Sequence, residues 1–294
     1  GVDLAVRVDD KLDRRLSAGC GGVARLREAK QDRDIPLWQN TAMTKVVDVD
    51  GKVLGVEVMR EGKPVRIQAR KAVVLAAGGF EHNQEMREKY LPQPTDHRWS
   101  AGTKDNTGDA ILEGMRLGAK MHRLDEAWWC NTISVPGEDI PRLSIMEKSY
   151  PGSIMVNPAG QRFSNESQNY MAFQQETFAR HTEENPLNPS WHIFDANFRA
   201  TYFVGPLYNS KFLPDWAVPK RYEEEGFFAK ADSIAELARK IDVDAAGLEE
   251  TVTKMNEFAR NGEDLDFQRG DSAYDRYYGD PRVTPNPCLG PINK

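Results

Sequence analysis

The sequence is poor in the residues that build scaffolds, metal centres and membrane anchors. Only three cysteines stand in 294 residues, Cys20, Cys130 and Cys288, far apart and odd in number. They exclude a disulfide framework and fit the reduced thiols of a cytoplasmic protein. The five histidines, His82, His97, His122, His181 and His192, form no HxH or HxxxH pair, so no metal site is expected. No stretch approaches the roughly 20 apolar residues that span a bilayer, and no charged-then-apolar leader opens the chain. Lys and Arg number 39 against 45 Asp and Glu, a net charge of −6 without a basic block, which removes the footprint of a nucleic-acid binder. Internal repeats and low-complexity segments are also missing. With 39% hydrophobic and 29% charged residues, the chain is an ordinary soluble composition, long enough for two domains with sizeable cores. It opens at Gly1 rather than Met and closes at Pro291-Ile-Asn-Lys294 without an evident terminal element, so it reads as an internal part of something longer.

What is present centres on Lys71-Ala-Val-Val-Leu-Ala-Ala-Gly78-Gly79-Phe80. The unbroken apolar run Val73 to Ala77 predicts a strand buried on both faces of a sheet. It stops at a glycine pair, where the missing Cβ atoms let backbone approach another group closely. Open α/β sheets place nucleotide ligands outside the carboxyl ends of such strands. The same ten residues also suit a plain core strand with a tight turn.

Around this stretch the elements read in order. Residues 1 to 17 form a charged lead-in. A helix runs from Gly21-Gly22 to about Arg33, with Val23, Leu26 and Ala29 on one face. The Gly19-Cys-Gly21-Gly22 cluster lacks the GxGxxG spacing of a dinucleotide loop. Ile35 to Trp38 predicts a short strand. Lys45 to Val49, Lys52 to Met59 and Pro64 to Ala69 predict a three-stranded meander, turned by Asp50-Gly51 and by Glu61-Gly62-Lys63. Asn83 is placed to cap a helix over Gln84 to Tyr90. Thr107-Gly108-Asp109 opens an amphipathic helix carrying Ile111, Leu112, Met115 and Leu117, and such a start offers free N–H groups to an anion or an electron-rich ring. From about residue 125 aromatic residues, proline, glycine and asparagine rise, which sets a domain boundary there. Beyond it the pattern predicts strands at Ile154 to Val156 and Trp191 to Asp195. Helices are predicted over 171 to 181, over Ser233 to Ile241 behind an Asp232 cap, and from Ala245 to Arg260. The tail from Phe267 to Pro281 reads as irregular. The fold class is α/β, with residues 1–125 as one domain and a mixed α+β domain over 126–294.

Four stretches together resemble the fumarate reductase/succinate dehydrogenase flavoprotein superfamily, and within it the 3-ketosteroid Δ1-dehydrogenases. They are Ala76-Ala-Gly-Gly-Phe80, Thr107-Gly-Asp109, Gly160-Gln-Arg-Phe163 with Asn165-Glu166, and Arg269-Gly-Asp-Ser-Ala-Tyr-Asp-Arg-Tyr-Tyr-Gly-Asp-Pro281. The last is the longest and most specific, and the resemblance runs from about residue 18 to the end. The family's amino-terminal GxGxxG unit is not in the sequence, nor is its carboxyl-terminal flavin- and ketone-binding segment. The resemblance therefore implies part of a GR2-type FAD-binding domain, followed by a substrate and catalytic domain. It also implies association with the segments that complete the flavin site.

The resemblance implies FAD as cofactor, with Ala76, Ala77, Gly78, Gly79, Phe80, Thr107, Gly108 and Asp109 as its contacts. It implies dehydrogenation of a 3-ketosteroid beside its ketone, with an external electron acceptor. Such chemistry needs a base at the α-carbon, donors on the ketone oxygen and a dry apolar slot. Tyr170 matches the tyrosine that the family uses as base; read as a residue alone, it suits a packed aromatic equally. Trp129, Phe173 and Tyr202, with Trp128, Phe203 and Tyr208, are candidates to wall a flat apolar substrate, and each also suits core packing. Arg162 and Glu166 are expected to pair with each other. A fumarate-reducing alternative needs an arginine acid, for which Arg199 is the candidate. A further alternative is a cofactor-free segment with a binding or assembly role.

Overall fold

The computed structural model describes residues 6–7, 15–16 and 18–293. The lead-in over residues 1 to 17 falls outside these, except that Val6–Arg7 pairs antiparallel with Arg15–Leu16. The chain divides into two compact units, residues 1–75 and 76–294.

The first unit carries helix α1 (Ala18–Gln31) and an antiparallel meander of β1 (Thr41–Val49), β2 (Lys52–Arg60) and β3 (Lys63–Gln68), in that spatial order. Both turns are the tight type that two-residue hairpins require, with positive φ at Asp50 and Gly51 (50° and 76°) and at Glu61 and Gly62 (50° and 74°). Val46 faces Val56 and Val58 faces Val65 across the strands, and Val46 and Val58 are buried. The predicted apolar face of α1 stays exposed at Val23 and Leu26. Ile35 to Trp38 forms no strand, and its three apolar side chains are exposed as well.

The central expectation needs correction. Residues 73 to 77 adopt no strand, and Val74 is 85% exposed. A strand buried on both faces requires hydrogen-bonded neighbours on either side. None of the sheets among the described residues includes this run.

In the second unit, α2 (Gln84–Tyr90) starts at the predicted cap, where Asn83 Oδ1 accepts from Met86 N at 3.1 Å. Helix α3 (Asp109–Arg116) follows. A two-stranded antiparallel ribbon then pairs β4 (Ser153–Val156) with β5 (Trp191–Phe194), and α4 (Tyr170–Arg180) lies between them in sequence. The ribbon packs on α6 (Ile234–Lys240) and α7 (Ala245–Asn261), while the short α5 (Ala196–Thr201) continues from β5. Ile154, Ile193, Ala238, Leu248, Met255 and Leu289 are the centre of this core. Fully burying each large side chain stabilises the fold by about 1.5–3 kcal/mol. Asp244 caps α7 through Gly247 N at 2.6 Å, and Gly262, at φ 79°, ends it. Ser233, not Asp232, caps α6, because its hydroxyl is the group that reaches Glu236 N. The tail is less irregular than expected, since Ser272 caps a short helix α8 (Ala273–Tyr277).

Candidate active site

The two glycine-rich stretches singled out in the sequence meet in the second unit. Gly108 N donates to Gly79 O at 3.0 Å, and His82 N donates to Asn106 O at 3.0 Å. Asn83, besides capping α2, donates from Nδ2 to Thr107 O at 2.9 Å. The approach depends on glycine at both points. A Cβ on Gly78 (φ 78°) would lie 2.3 Å from Asn106 Oδ1, and one on Gly108 (φ 84°) would lie 2.5 Å from Met86 Sδ. Phe80 turns inward onto Met86, Leu91 and Trp129 and anchors the stretch, while Ala76 and Ala77 stay exposed before it. Thr107 Oγ1 donates to Asp109 Oδ2 at 3.1 Å, yet no side chain caps α3, whose N-cap is Gly108. Glycine backbone at positive φ, beside a helix start that no side chain caps, suits a group with anionic oxygens and an electron-rich ring. A flavin nucleotide has both.

A second cluster forms behind β4. The turn Asn157 to Gly160 sends the chain back so that Arg162 bridges to Val156. Arg162 then donates to both oxygens of Glu166, at 2.8 and 2.7 Å, and to both oxygens of Asp264, at 3.2 and 2.8 Å. The expected pair is therefore present, with an added acid 102 positions away. Arg269, fully buried, donates to Glu166 Oε2 at 3.2 Å, Ser153 O at 2.8 Å, Ser167 Oγ at 3.0 Å and Tyr150 O at 2.9 Å. Lys148 Nζ donates to the carbonyls of Glu166 and Gln168 at 2.7 and 2.8 Å. Burial alone would push Glu166 up, but Arg162 and Arg269 overcome it and hold the carboxylate at about 2. Burial first and Arg269 second push Lys148 down to about 7. The tail is tied to the same loop, since Asp275 Oδ2 accepts from Asn165 Nδ2 and Gly270 N, both at 2.9 Å.

This network fixes the loop that ends at Tyr170. Asn169 caps α4 through Met171 N at 2.9 Å, and Tyr170 is the helix's first residue. Its hydroxyl oxygen accepts from Trp128 Nε1 at 3.1 Å. Tyr274 and Tyr278 border it, and burial holds both of their phenols above the ordinary range, with Tyr170 a lesser contributor to each. The three expected substrate residues have other company. Trp129 stands edge-on to Phe178 at 5.0 Å and borders a cleft of about 300 Å³ with Pro92, Glu126 and Gln175. Phe173 is fully buried against Phe163 and Leu187. Tyr202 donates to Asp280 Oδ2 at 2.6 Å and stacks on Tyr150 at 4.8 Å, and burial followed by Asp280 holds its phenol well above the usual range. Sequence reasoning missed Asp264 and Lys148 as members of the network, because partners 18 to 102 positions apart leave no local pattern.

The family described as "FAD binding domain" matches residues 4–293. The 3-oxosteroid 1-dehydrogenase of Mycolicibacterium smegmatis is 39% identical over 279 residues, covering 92% of this chain and 48% of that protein. The crystal structure of 3-ketosteroid delta1-dehydrogenase from Sterolibacterium denitrificans, in complex with 1,4-androstadiene-3,17-dione, superposes with a TM-score of 0.89 at 41% identity, over 96% of this chain and 50% of that one. A "probable fumarate reductase" of Shewanella frigidimarina is more distant, 27% identical over 87% of this chain and 40% of its own. The chain thus spans about half the length of these two steroid dehydrogenases. The glycine cradle, the uncapped α3 and a family match over nearly every residue lead to one assignment: the chain belongs to the FAD-binding domain family.

Proposed function

We propose that this protein dehydrogenates 3-ketosteroids between the α-carbon beside the ketone and the carbon next to it, with Tyr170 as the base. The observation that carries the reading is Tyr170 itself, whose hydroxyl stands at the start of α4 on a loop locked by the Arg162, Glu166 and Arg269 network. A base must hold its position against substrate binding, and a fully buried ion network gives the loop that rigidity. The likeness to 3-oxosteroid 1-dehydrogenases supports the same reading. Gly78, Gly79, Phe80 and the Thr107 to Asp109 start of α3 would hold FAD, with Ala76 and Ala77 leading into them. When bound, FAD supplies the acceptor for the hydride leaving the carbon next to the α-carbon, and an external acceptor reoxidises it.

Tyr170 takes the α-proton, and the C–H electron pair passes into the enolate of the ketone. Division by role at about residue 125, flavin side over 1–125 and substrate side over 126–294, belongs to the same proposal. So do the walls assigned to Trp129, Phe173 and Tyr202, and the cytoplasmic setting, which the unpaired Cys20, Cys130 and Cys288 favour.

The dicarboxylate alternative has less support. Arg199, its candidate acid, donates to the carbonyls of Tyr208 and Leu213 and pairs with Asp215 at 3.5 Å. A guanidinium occupied by its own loop is poorly placed to protonate a substrate. The test is a dye-reduction assay with 4-androstene-3,17-dione beside a fumarate assay with reduced viologen, on wild type and Tyr170→Phe. Steroid activity that falls on the order of 10² to 10⁴ in the variant, with FAD content retained, is the expected outcome. Activity on fumarate alone would move the protein to the other branch.

A further inference from the structure

Trp128 and Trp129 are neighbours with opposite surroundings. Trp129 is 8% exposed and packs on Phe80, Met86 and Leu91, whereas Trp128 is 79% exposed. A large aromatic left that open has little core packing to orient it, and an indole on the surface asks for a reason. Its N–H lies 3.1 Å from the Tyr170 phenolic oxygen. Indole nitrogen is a donor only, so the direction of this bond is fixed and Tyr170 must accept. Tyr170 also stands on the first turn of α4, where side chains lean back toward the helix start and the helix dipole favours negative charge. The neighbouring phenols of Tyr274 and Tyr278 hold their protons more firmly than usual and do not compete for the role.

We propose that Trp128 is a positioning residue for the dehydrogenation: its indole N–H occupies one lone pair of the Tyr170 oxygen and leaves another turned to the substrate's α-carbon. The inference rests on the reading of Tyr170 as base. The phenol's own proton leaves to solvent before the step; a new O–H bond forms on Tyr170 as the α-C–H bond breaks, and that electron pair becomes the enolate. FAD, when bound, would supply the acceptor for the hydrogen that leaves the adjacent carbon with its electron pair, which balances the oxidation of the steroid. A donor bonds a charged oxygen more strongly than a neutral one, so the Trp128 contact holds the reacting oxygen in place as charge develops on it.

The test uses the full-length holoenzyme, with FAD content as the check on folding. Trp128→Phe keeps an aromatic ring and removes the N–H, whereas Trp128→His keeps a ring donor. Trp128→Phe is expected to lower kcat on the order of ten- to hundred-fold, the loss typical of a hydrogen bond to a charged group, with KM little changed. Exchange of the substrate's α-hydrogen with solvent falls in parallel, and Trp128→His recovers most of both. In protein carrying ¹³Cζ-tyrosine, the resonance that vanishes in Tyr170→Phe moves in Trp128→Phe. Normal turnover in Trp128→Phe, equal loss in both variants, or an unmoved Tyr170 resonance would each overturn the proposal. If Tyr170→Phe is inactive while Trp128→Phe is not, the base reading stands and this inference alone fails. If Tyr170→Phe turns over normally, both fail.

Discussion

His192 stands on β5 with Nε2 buried and no hydrogen-bond partner, edge-on to the rings of Phe194 and Phe198 at 5.5 and 5.8 Å. Burial, and after it the charge of Arg269, lowers its pKa from 6.5 to about 4. Between those two values the unfolded chain binds a proton that the folded chain refuses. Stability therefore falls as pH drops from 6.5 toward 4, by up to about 3 kcal/mol from this group at 1.36 kcal/mol per unit. Urea unfolding at pH 6.5 and 4.5 is expected to show a smaller loss for His192→Phe than for wild type. Equal losses would mean that the acid sensitivity lies with the carboxylates. The same burial logic sorts the charges at the site: Glu166 keeps its charge because two guanidiniums face it, and Lys148 is pushed down because it is buried and Arg269 stands nearby.

Gly160 shows how one turn sets the spacing of two elements. It sits at φ 72°, and a Cβ there would lie 2.4 Å from Leu248 N, in the first turn of α7. Gly160→Ala must strain its own backbone and also displace a helix. The expected loss is about 2–5 kcal/mol, combining a left-handed residue with overpacking. Gly226, at φ 70° with nothing within 4 Å of a Cβ, separates the terms. Thermal unfolding of Gly226→Ala should show only the backbone part, about 1–2 kcal/mol, and equal losses in both variants would refute the contact with α7. Elements whose signals are local were legible in the sequence. The turns at Asp50-Gly51 and Glu61-Gly62, the Asn83 cap and the span of α7 follow from residues a few positions apart. The run Val73 to Ala77 misled because hydrophobicity reports a preference for burial, whereas a strand also needs pairing partners. At the site, Tyr170, Gly78 and Gly108 were visible through motifs. The Trp128 hydrogen bond joins positions 42 apart and follows no spacing rule, so it emerges only from the fold.

The two compact units differ in how much each buries. Among the described residues, Val46 and Val58 are the buried apolar side chains of the first unit, while the second holds a continuous core along β4, β5, α6 and α7. Local opening is least costly where few apolar contacts are lost. Hydrogen exchange read by mass spectrometry should therefore show faster exchange in peptides from β1 to β3 than in those from α7. The reverse order would mean that packing in the described core does not govern protection. The reach of Arg269 bears on how this protein is made. Its contacts lie 102 to 120 positions earlier in the chain, on Ser149, Tyr150, Ser153, Glu166 and Ser167. At a translation speed of about 5–20 residues per second, the segment that ends at Tyr170 waits roughly 5 to 20 s for its clamp to be synthesised. During that wait Glu166 already has Arg162 four residues upstream, so the nascent loop carries its own counter-charge until the distant arginine emerges from the ribosome.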